Sequence, residues 1–243
     1  MVVTTESNVW ESNVWDSGRW RLQGNVRIDF MTRYIMEQVL AHVSIGDKTL
    51  LELGAGTGRL SYLALLLGAK RVVLVDSSTR AIALARQFFS AMPSGTYEII
   101  HQDIHHVSPD LGQDIVLSSG TVEHFRGDAR QNVIQKHMAL AKSDCLIVHP
   151  SDTAYAKIFN IFPISVWLYG YQKAFSACEL EQWSKLSPRV ISIKHKRFQP
   201  FYTVPFLHNF EFANRWFDKQ KWSAAYGGLT LSHVRLGPTS ALC

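Results

Sequence analysis

Cysteine is scarce in this sequence, and none of its three cysteines lies in a CxxC pair. An odd number of unpaired cysteines argues against a disulfide framework and is typical of a reducing compartment, so we expect a cytoplasmic protein. Ten histidines are present, yet none has the i, i+4 spacing beside a glutamate that a helical zinc site uses. The sequence therefore predicts no metal centre.

Long apolar runs and blocks of one charge are also missing. No stretch of about 18 apolar residues occurs, so we expect no membrane span. The first residues have neither a basic stretch nor an apolar core, so we expect no secretory signal. The formal charge is +5, and its densest basic cluster, Lys194–Arg197, falls at a predicted strand end. Such a cluster is more often solvated than bound to nucleic acid, and we predict no nucleic-acid partner.

The most informative segment that is present is Leu50–Ser61. An apolar strand runs into an acid, Glu52, and then into three glycines spaced by two, Gly54, Gly56 and Gly58. Glycines at this spacing let the backbone turn tightly and come close to a ligand that any Cβ would repel. A carboxylate beside them suits an amine or a hydroxyl and would repel a pyrophosphate.

A second acid strengthens this interpretation. The next predicted strand ends in Asp76, 18 residues after Gly58, where a carboxylate can accept hydrogen bonds from both hydroxyls of a ribose. A dinucleotide fingerprint would place its third glycine one residue later and leave the helix N-terminus free for phosphate. The sequence therefore disfavours a nicotinamide oxidoreductase and favours an adenosyl cofactor without a pyrophosphate.

In these segments the sequence resembles the class I S-adenosylmethionine-dependent methyltransferases. The match begins with Glu52–Gly58, continues with Asp76 and with the segment Tyr97–Ile104, and ends with Asp114–Phe125, the fourth strand and its loop. It covers residues 45 to 150 well and the remainder loosely. The resemblance implies a cofactor site made by Glu52, Gly54, Ala55, Gly56, Gly58, Asp76, Ser77, Asp103, Ile104 and Ser119, with Asp103 at the adenine amino group.

Each piece also has a plainer interpretation. The glycines could form an ordinary strand-to-helix turn, and Asp76 could cap the helix that starts near Thr79, a position that Asp favours. Asp103 could be a cap for the same reason. Four motifs in order and at the right spacing outweigh these separate explanations.

The fold prediction is α/β: a doubly wound, seven-stranded, mostly parallel sheet with an N-terminal helical segment. Strands alternating with helices place helices on both faces of a parallel sheet, and ligands bind beyond the carboxyl ends of its strands. We predict an N-terminal lid over 1–44, a cofactor-binding core over 45–150, and cap insertions with the last strands over 151–243. Strands are predicted near 49–53, 71–76, 96–101, 114–118, 144–149, 189–197 and 229–236, and helices near 26–43, 58–67, 78–91, 128–141 and 177–186.

Aromatic residues concentrate in the last third, which holds 18 of the chain's 28. The insertions after strands 5 and 6 are expected to form an aromatic cap over a concave, largely apolar acceptor pocket. Packing of a subdomain or a dimer interface would use the same residues, and the chain could be a monomer or a homodimer. The predicted pocket residues are Trp20, Trp167, Tyr169 and Tyr171.

Methyl transfer needs alignment of the acceptor and exclusion of water, and a general base only where an oxygen acceptor must lose its proton. The candidate bases are His124, after the fourth strand, and His149, at the end of the fifth. Base-methylating relatives carry an Asn/Asp-Pro-Pro-aromatic signature where this chain has Ser118–Thr121. We therefore predict an O- or N-methyltransferase of a small apolar or aromatic metabolite, such as a natural product. A protein methyltransferase and a non-catalytic S-adenosylmethionine-binding protein stay open as alternatives.

Overall fold

The structure is a computed structural model of the 243-residue chain. It describes residues 27–154, 156–157, 172, 176–199, 210–220 and 223–238. The predicted pocket residues Trp20, Trp167, Tyr169 and Tyr171 lie outside the described residues.

A seven-stranded sheet forms the centre of the described chain, with the strand order β3-β2-β1-β4-β5-β7-β6. The first five strands in space are parallel, and β7 runs antiparallel between β5 and β6. The predicted doubly wound, mostly parallel sheet is therefore confirmed. The strands are β1 (Thr49–Leu53), β2 (Arg71–Asp76), β3 (Tyr97–His101), β4 (Gln113–Ser119), β5 (Ala141–Pro150), β6 (Val190–Phe198) and β7 (Leu229–Leu236).

Helices connect the strands and lie close to their predicted positions. They are α1 (Phe30–Leu40), α2 (Arg59–Leu66), α3 (Thr79–Phe89), α4 (Gly127–Leu140), α5 (Ala177–Ser184), α6 (Glu211–Asp218) and α7 (Ser223–Tyr226). The last two lie in the segment between β6 and β7, where no helix was predicted. Three short 3₁₀ turns, Ile104–His106, Pro109–Leu111 and Val122–His124, lie in the loops around β4.

The central strands are apolar along their whole length because both faces of the sheet are covered. Leu50, Val72 and Leu74 pack with α1 and α2 on one face, and Leu51 and Val73 pack with α4 and α5 on the other. A parallel sheet covered on both sides requires such continuous apolar runs. This is why strand positions could be read from the sequence to within a few residues.

The chain leaves β1 toward β2 and β3 on one side and then returns to build β4 and β5 on the other. The switch point therefore lies between β1 and β4, which are hydrogen-bonded neighbours. Ligands of open α/β sheets bind in the crevice at such a point, beyond the carboxyl ends of the strands. The glycine segment and the loop after β4 both begin there.

Helix α6 is fastened to the N-terminal helix α1 by polar contacts. The guanidinium of Arg215 donates to both carboxylate oxygens of Glu37, at 2.8 and 2.7 Å, and stacks over the ring of Tyr34. The hydroxyl of Tyr34 in turn donates to the carboxylate of Asp218. The described part of the insertion after β6 is thus attached to the predicted N-terminal segment. Its role as a cap and the three domain limits stay predictions.

Among the described residues, no helix combines the length and the apolar composition that crossing a bilayer requires.

Candidate active site

The residues predicted from the motifs meet at one edge of the sheet. Gly54 and Gly56 follow β1, Ser77 follows β2, Asp103 follows β3, and Ser119 ends β4; each is partly exposed. The strands behind them are buried. A partly exposed rim on a buried frame gives a ligand access while fixing the groups that would contact it.

The glycine loop is held to β2 by backbone hydrogen bonds. The N–H groups of Gly54 and Ala55 both donate to the carbonyl of Val75, at 2.9 and 3.0 Å. Gly54 has φ +67° and Gly58 has φ +72°, a backbone conformation that residues other than glycine rarely adopt. The close turn inferred from the glycine spacing is therefore present.

Asp76 joins the end of β2 to this loop. One carboxylate oxygen accepts the N–H of Gly56 at 2.7 Å, and the other accepts the N–H of Ser78 at 2.8 Å. The alternative that Asp76 caps α3 is wrong, because Ser78 is the N-cap and its hydroxyl accepts the N–H of Ala81. Asp76 is 8% exposed, so its carboxylate is fixed at the rim by backbone donors.

Glu52 lies behind the loop rather than at its surface. Its carboxylate accepts hydrogen bonds from the backbone N–H of Ser61 at 3.0 Å and from the Ser61 hydroxyl at 2.5 Å. Burial raises the pKa of Glu52 to about 7, against the opposing effect of these hydrogen bonds and of Arg59. Glu52 therefore ties β1 to the first turn of α2. Ser61 was not singled out as part of the site, and the motif spacing carries no signal for it.

Asp103 and Ile104, the residues predicted to contact adenine, lie at the start of a 3₁₀ turn after β3. The Asp103 carboxylate accepts the N–H of His105 at 2.8 Å and so caps the 3₁₀ turn that contains Ile104. The capping interpretation of Asp103 is thus correct. Because Asp103 is only partly buried and Ile104 lies at the same rim, adenine contact by both residues stays a prediction.

The loop after β4 closes the other side of the rim. Gly120, which follows Ser119, donates its N–H to the carbonyl of Val148 on β5 at 3.1 Å. The side chain of Thr121 lies directly against Gly54. Thr121 was quoted within a motif but given no role, since a contact between residues 67 positions apart leaves no mark in local sequence.

Glu123 is fully buried in this loop. Neither of its carboxylate oxygens has a hydrogen-bond partner among the described residues, and burial raises its pKa to about 7. The positive charge of Arg130, itself 1% exposed, opposes that rise. The guanidinium of Arg130 donates to the carbonyl of Phe125 at 2.8 Å and so holds the end of the same loop.

The two candidate bases lie in different surroundings. His124 is half-buried in the loop after β4. His149 is 1% exposed, with its ring nitrogens 2.9 Å from the Pro150 carbonyl and 3.3 Å from the Ser232 hydroxyl. Burial lowers the pKa of His149 to about 4, so the ring is neutral at pH 7. Its nitrogens are engaged within the sheet, which weakens the case for His149 as a base.

No group of three or more histidine, cysteine, aspartate or glutamate side chains suited to a metal ion occurs in the part of the chain that the structure describes. Cys145 is buried and Cys178 is exposed, and both are free thiols.

Comparison with known proteins agrees with this geometry. Residues 50–144 match the family model described as a methyltransferase domain. A curated relative, the ribosomal protein L11 methyltransferase of Pasteurella multocida (strain Pm70), is 26% identical over 157 residues. That match covers 62% of this chain, and the chain spans about half (48%) of the relative's length.

Three solved structures share the fold at low sequence identity. Magnesium protoporphyrin IX methyltransferase from Synechocystis PCC 6803, with bound S-adenosylmethionine, has a TM-score of 0.63 at 13% identity and covers 97% of this chain and 99% of its own. Haemonchus contortus phosphoethanolamine N-methyltransferase 2, in complex with S-adenosylhomocysteine, has a TM-score of 0.65 at 15% identity, and the match covers 97% of this chain and 61% of that enzyme. The [4+2]-cyclase SpnF has a TM-score of 0.65 at 12% identity, and the match covers 98% of each chain.

The chain therefore has the fold of the class I S-adenosylmethionine-dependent methyltransferases, as the sequence motifs predicted. Within it, residues 50–144 are the part that matches the methyltransferase domain model. Methyltransferases of this fold need S-adenosylmethionine; the magnesium protoporphyrin IX methyltransferase was crystallised with it and the phosphoethanolamine N-methyltransferase with its product, S-adenosylhomocysteine. The site fits this cofactor, because the backbone of Gly54 and Gly56 is partly exposed at the rim and Asp76 presents a fixed carboxylate next to it.

Proposed function

We propose that this protein is an S-adenosylmethionine-dependent methyltransferase that methylates an oxygen or nitrogen atom of a small, largely apolar or aromatic metabolite. The observation that carries the proposal is the junction of Gly56 with Asp76 at 2.7 Å, at the switch point of the sheet. It places a carboxylate suited to ribose hydroxyls beside a backbone turn that is open to a ligand. The cofactor supplies a methyl group that is already activated on a sulfonium.

Different residues at the rim are proposed to bind different parts of the cofactor. Asp76 and Ser77 would hold the ribose, Asp103 and Ile104 the adenine, and the loops after β1 and β4 the amino-acid end. A sulfonium methyl needs only an aligned acceptor and a site free of water, so binding and orientation supply most of the catalysis. For an oxygen acceptor we assign the base to His124 ahead of His149, since His124 is partly exposed at the rim.

The proposed acceptor class rests on the aromatic-rich insertions and on neighbours of this fold that act on small molecules. The similar enzymes include a magnesium protoporphyrin IX methyltransferase and a phosphoethanolamine N-methyltransferase. The second candidate is a protein methyltransferase, favoured by the partial match to a ribosomal protein L11 methyltransferase. The cyclase among the similar structures shows that this fold also carries other chemistry. A non-catalytic cofactor-binding role is a third candidate.

The assignment to a reducing, cytoplasmic setting belongs to the same proposal. It is supported by the free thiols of Cys145 and Cys178.

Calorimetric titration with S-adenosylhomocysteine, with NADH as a control, tests the cofactor assignment. We expect micromolar binding of S-adenosylhomocysteine and none of NADH; the reverse result would refute the assignment. Production of S-adenosylhomocysteine from S-adenosylmethionine, measured with phenols and aromatic amines in one series and with ribosomal protein in another, then separates the two acceptor classes. Turnover only in the second series would favour the protein substrate, and binding without turnover in either would favour a non-catalytic role.

A further inference from the structure

The side chain of Thr121 occupies the space that a side chain on Gly54 would need. An ideal Cβ on Gly54 would lie 2.5 Å from the Thr121 Oγ1 atom and 3.0 Å from its Cβ, and closer still to its Cγ2. Atoms that close cannot coexist, so the two residues fit together only because residue 54 is glycine. Thr121 is 7% exposed, and it fills this space rather than pointing to solvent.

Hydrogen bonds reinforce the contact. The Thr121 hydroxyl lies 3.3 Å from the carbonyl oxygen of Leu53 and 3.4 Å from that of Gly54, and donates its one proton to this pair. Leu53 is the last residue of β1, and Gly54 is the first residue of the glycine loop. The threonine thus holds the exit of β1 by shape and by polar contact at once.

The Thr121–Gly54 contact completes a chain of links across the site. The glycine loop is joined to the end of β2 through Gly56 and Asp76 at 2.7 Å. The loop after β4 is joined to β5 through Gly120 and Val148 at 3.1 Å. Thr121 is the side chain that connects these two halves across the switch point, so it sets the spacing between the loops after β1 and β4.

We infer that Thr121 is a positioning residue for the amino-acid end of the cofactor, acting through the glycine loop. This inference rests on the proposed function. With adenine assigned to Asp103 after β3 and ribose to Asp76 at the end of β2, the order β3-β2-β1-β4 leaves the loops after β1 and β4 for the amino-acid end. A change in the spacing of those two loops alters contacts with the amine and carboxylate of the cofactor and leaves contacts with its adenosine part in place.

Two ligands and two variants of Thr121 test the inference by titration. S-adenosylhomocysteine has the amino-acid end, whereas 5′-methylthioadenosine lacks it. We expect Thr121→Ala to weaken S-adenosylhomocysteine binding about tenfold, because residues in contact are energetically coupled, and to change 5′-methylthioadenosine binding less than about twofold. Thr121→Val, which keeps the shape, is expected to retain most of the affinity. Equal weakening of both ligands by Thr121→Ala, or of neither, would overturn the inference.

A steric swap supplies a second readout that a general loss of stability does not mimic. Gly54→Ala introduces the clash with Thr121, and the double variant Gly54→Ala with Thr121→Ala relieves it, since the Oγ1 and Cγ2 atoms are gone and a Cβ at 3.0 Å remains. The double variant is therefore expected to bind S-adenosylhomocysteine more tightly than Gly54→Ala alone, although the φ of +67° remains unfavourable for alanine. Binding by the double variant that is equal or weaker contradicts the interlock.

Thr96→Ala is the matched control, because the Thr96 hydroxyl donates to the Pro93 carbonyl at 2.7 Å in a turn before β3. It should leave both affinities unchanged, and thermal melting without ligand shows that each variant is folded. If the unmodified protein binds neither ligand, the proposed function itself fails. If it binds both and Thr121→Ala matches Thr96→Ala, only the positioning role fails.

Discussion

Leu74 on β2 fills the space in which a side chain on Gly58 would lie. An ideal Cβ on Gly58 would overlap the Leu74 Cδ2 atom and lie 2.9 Å from Cε2 of Phe89. Gly58 is also the N-cap residue of α2, with φ +72°. The last glycine of the motif therefore allows α2 to start close against the sheet.

Gly58→Ala should be strongly destabilising. It adds overpacking against Leu74, typically about 1–3 kcal/mol, to the cost of a left-handed residue, roughly 1–2 kcal/mol. Gly95→Ala is the matched control, since Gly95 also has positive φ, +87°, but an added Cβ would meet nothing within 4 Å. Urea unfolding should show a loss of stability at least about twice as large for Gly58→Ala. Equal losses would show that backbone strain alone accounts for the effect.

Asp76→Ala should weaken cofactor binding. The variant removes the carboxylate that we propose accepts the ribose hydroxyls, and such charge-assisted hydrogen bonds are worth about 1–3 kcal/mol, or roughly 5- to 150-fold in affinity. It also leaves the N–H groups of Gly56 and Ser78 without this acceptor. Titration with S-adenosylhomocysteine measures the change. Asp76→Asn, which keeps one accepting oxygen, should fall between the original protein and the alanine variant.

The control for Asp76 is Glu98→Gln, which removes an exposed carboxylate paired with Arg71 on the neighbouring strand. That variant should bind S-adenosylhomocysteine as the original protein does. Unchanged affinity of Asp76→Ala would refute the ribose assignment.

Local patterns in the sequence were sufficient for the sheet and for the rim of the site, but tertiary contacts were not accessible from them. The run Val72–Val75 is apolar because both faces are buried, and that pattern is visible in one segment. The pairing of Glu52 with Ser61 and of Gly54 with Thr121 depends on how segments pack, so no spacing rule predicts either.

Helix α6 was missed for a related reason. Its residues Phe212, Trp216 and Phe217 are aromatic, and aromatic residues have modest helix propensity. The apolar residues of this segment recur at helical spacing, but the segment was assigned to the cap because of its aromatic content. In the structure part of that apolar face is exposed, Phe212 at 84%. What orients the helix is the contact of Arg215 with Glu37, a residue of the distant helix α1.

Two contacts between α1 and α6 should contribute unequally to stability. The Arg215–Glu37 pair is 38% and 44% exposed, so Glu37→Gln should cost less than about 1 kcal/mol. Tyr34 is 4% exposed and donates to Asp218, whose pKa is raised by burial. Tyr34→Phe removes the hydroxyl donor and leaves that carboxylate with the backbone N–H of Gln199, so it should cost about 1–3 kcal/mol in urea unfolding. A larger loss for Glu37→Gln would contradict this ranking.

His137 should make the fold less stable in acid. The ring is fully buried on α4, with Nδ1 2.7 Å from the Val133 carbonyl, and burial lowers its pKa to about 4. A depressed histidine pKa contributes stability above the ordinary value near 6.5, and this contribution is lost as the pH falls from about 6.5 to about 4. Burial raises the pKa of Glu123 to about 7, so its contribution runs the opposite way and is lost as the pH rises from about 4.5 to about 7.

Because these two groups oppose each other, the effect of His137 has to be measured as a difference between variants. His137→Leu removes the buried titrating ring and keeps an apolar side chain in the helix core. Between pH 7.5 and pH 4, the original protein should lose about 3 kcal/mol more stability in urea unfolding than His137→Leu does. His106→Leu, at the exposed end of a 3₁₀ turn, controls for the loss of a histidine. Parallel pH profiles for the original protein and His137→Leu would show that His137 does not account for the acid sensitivity.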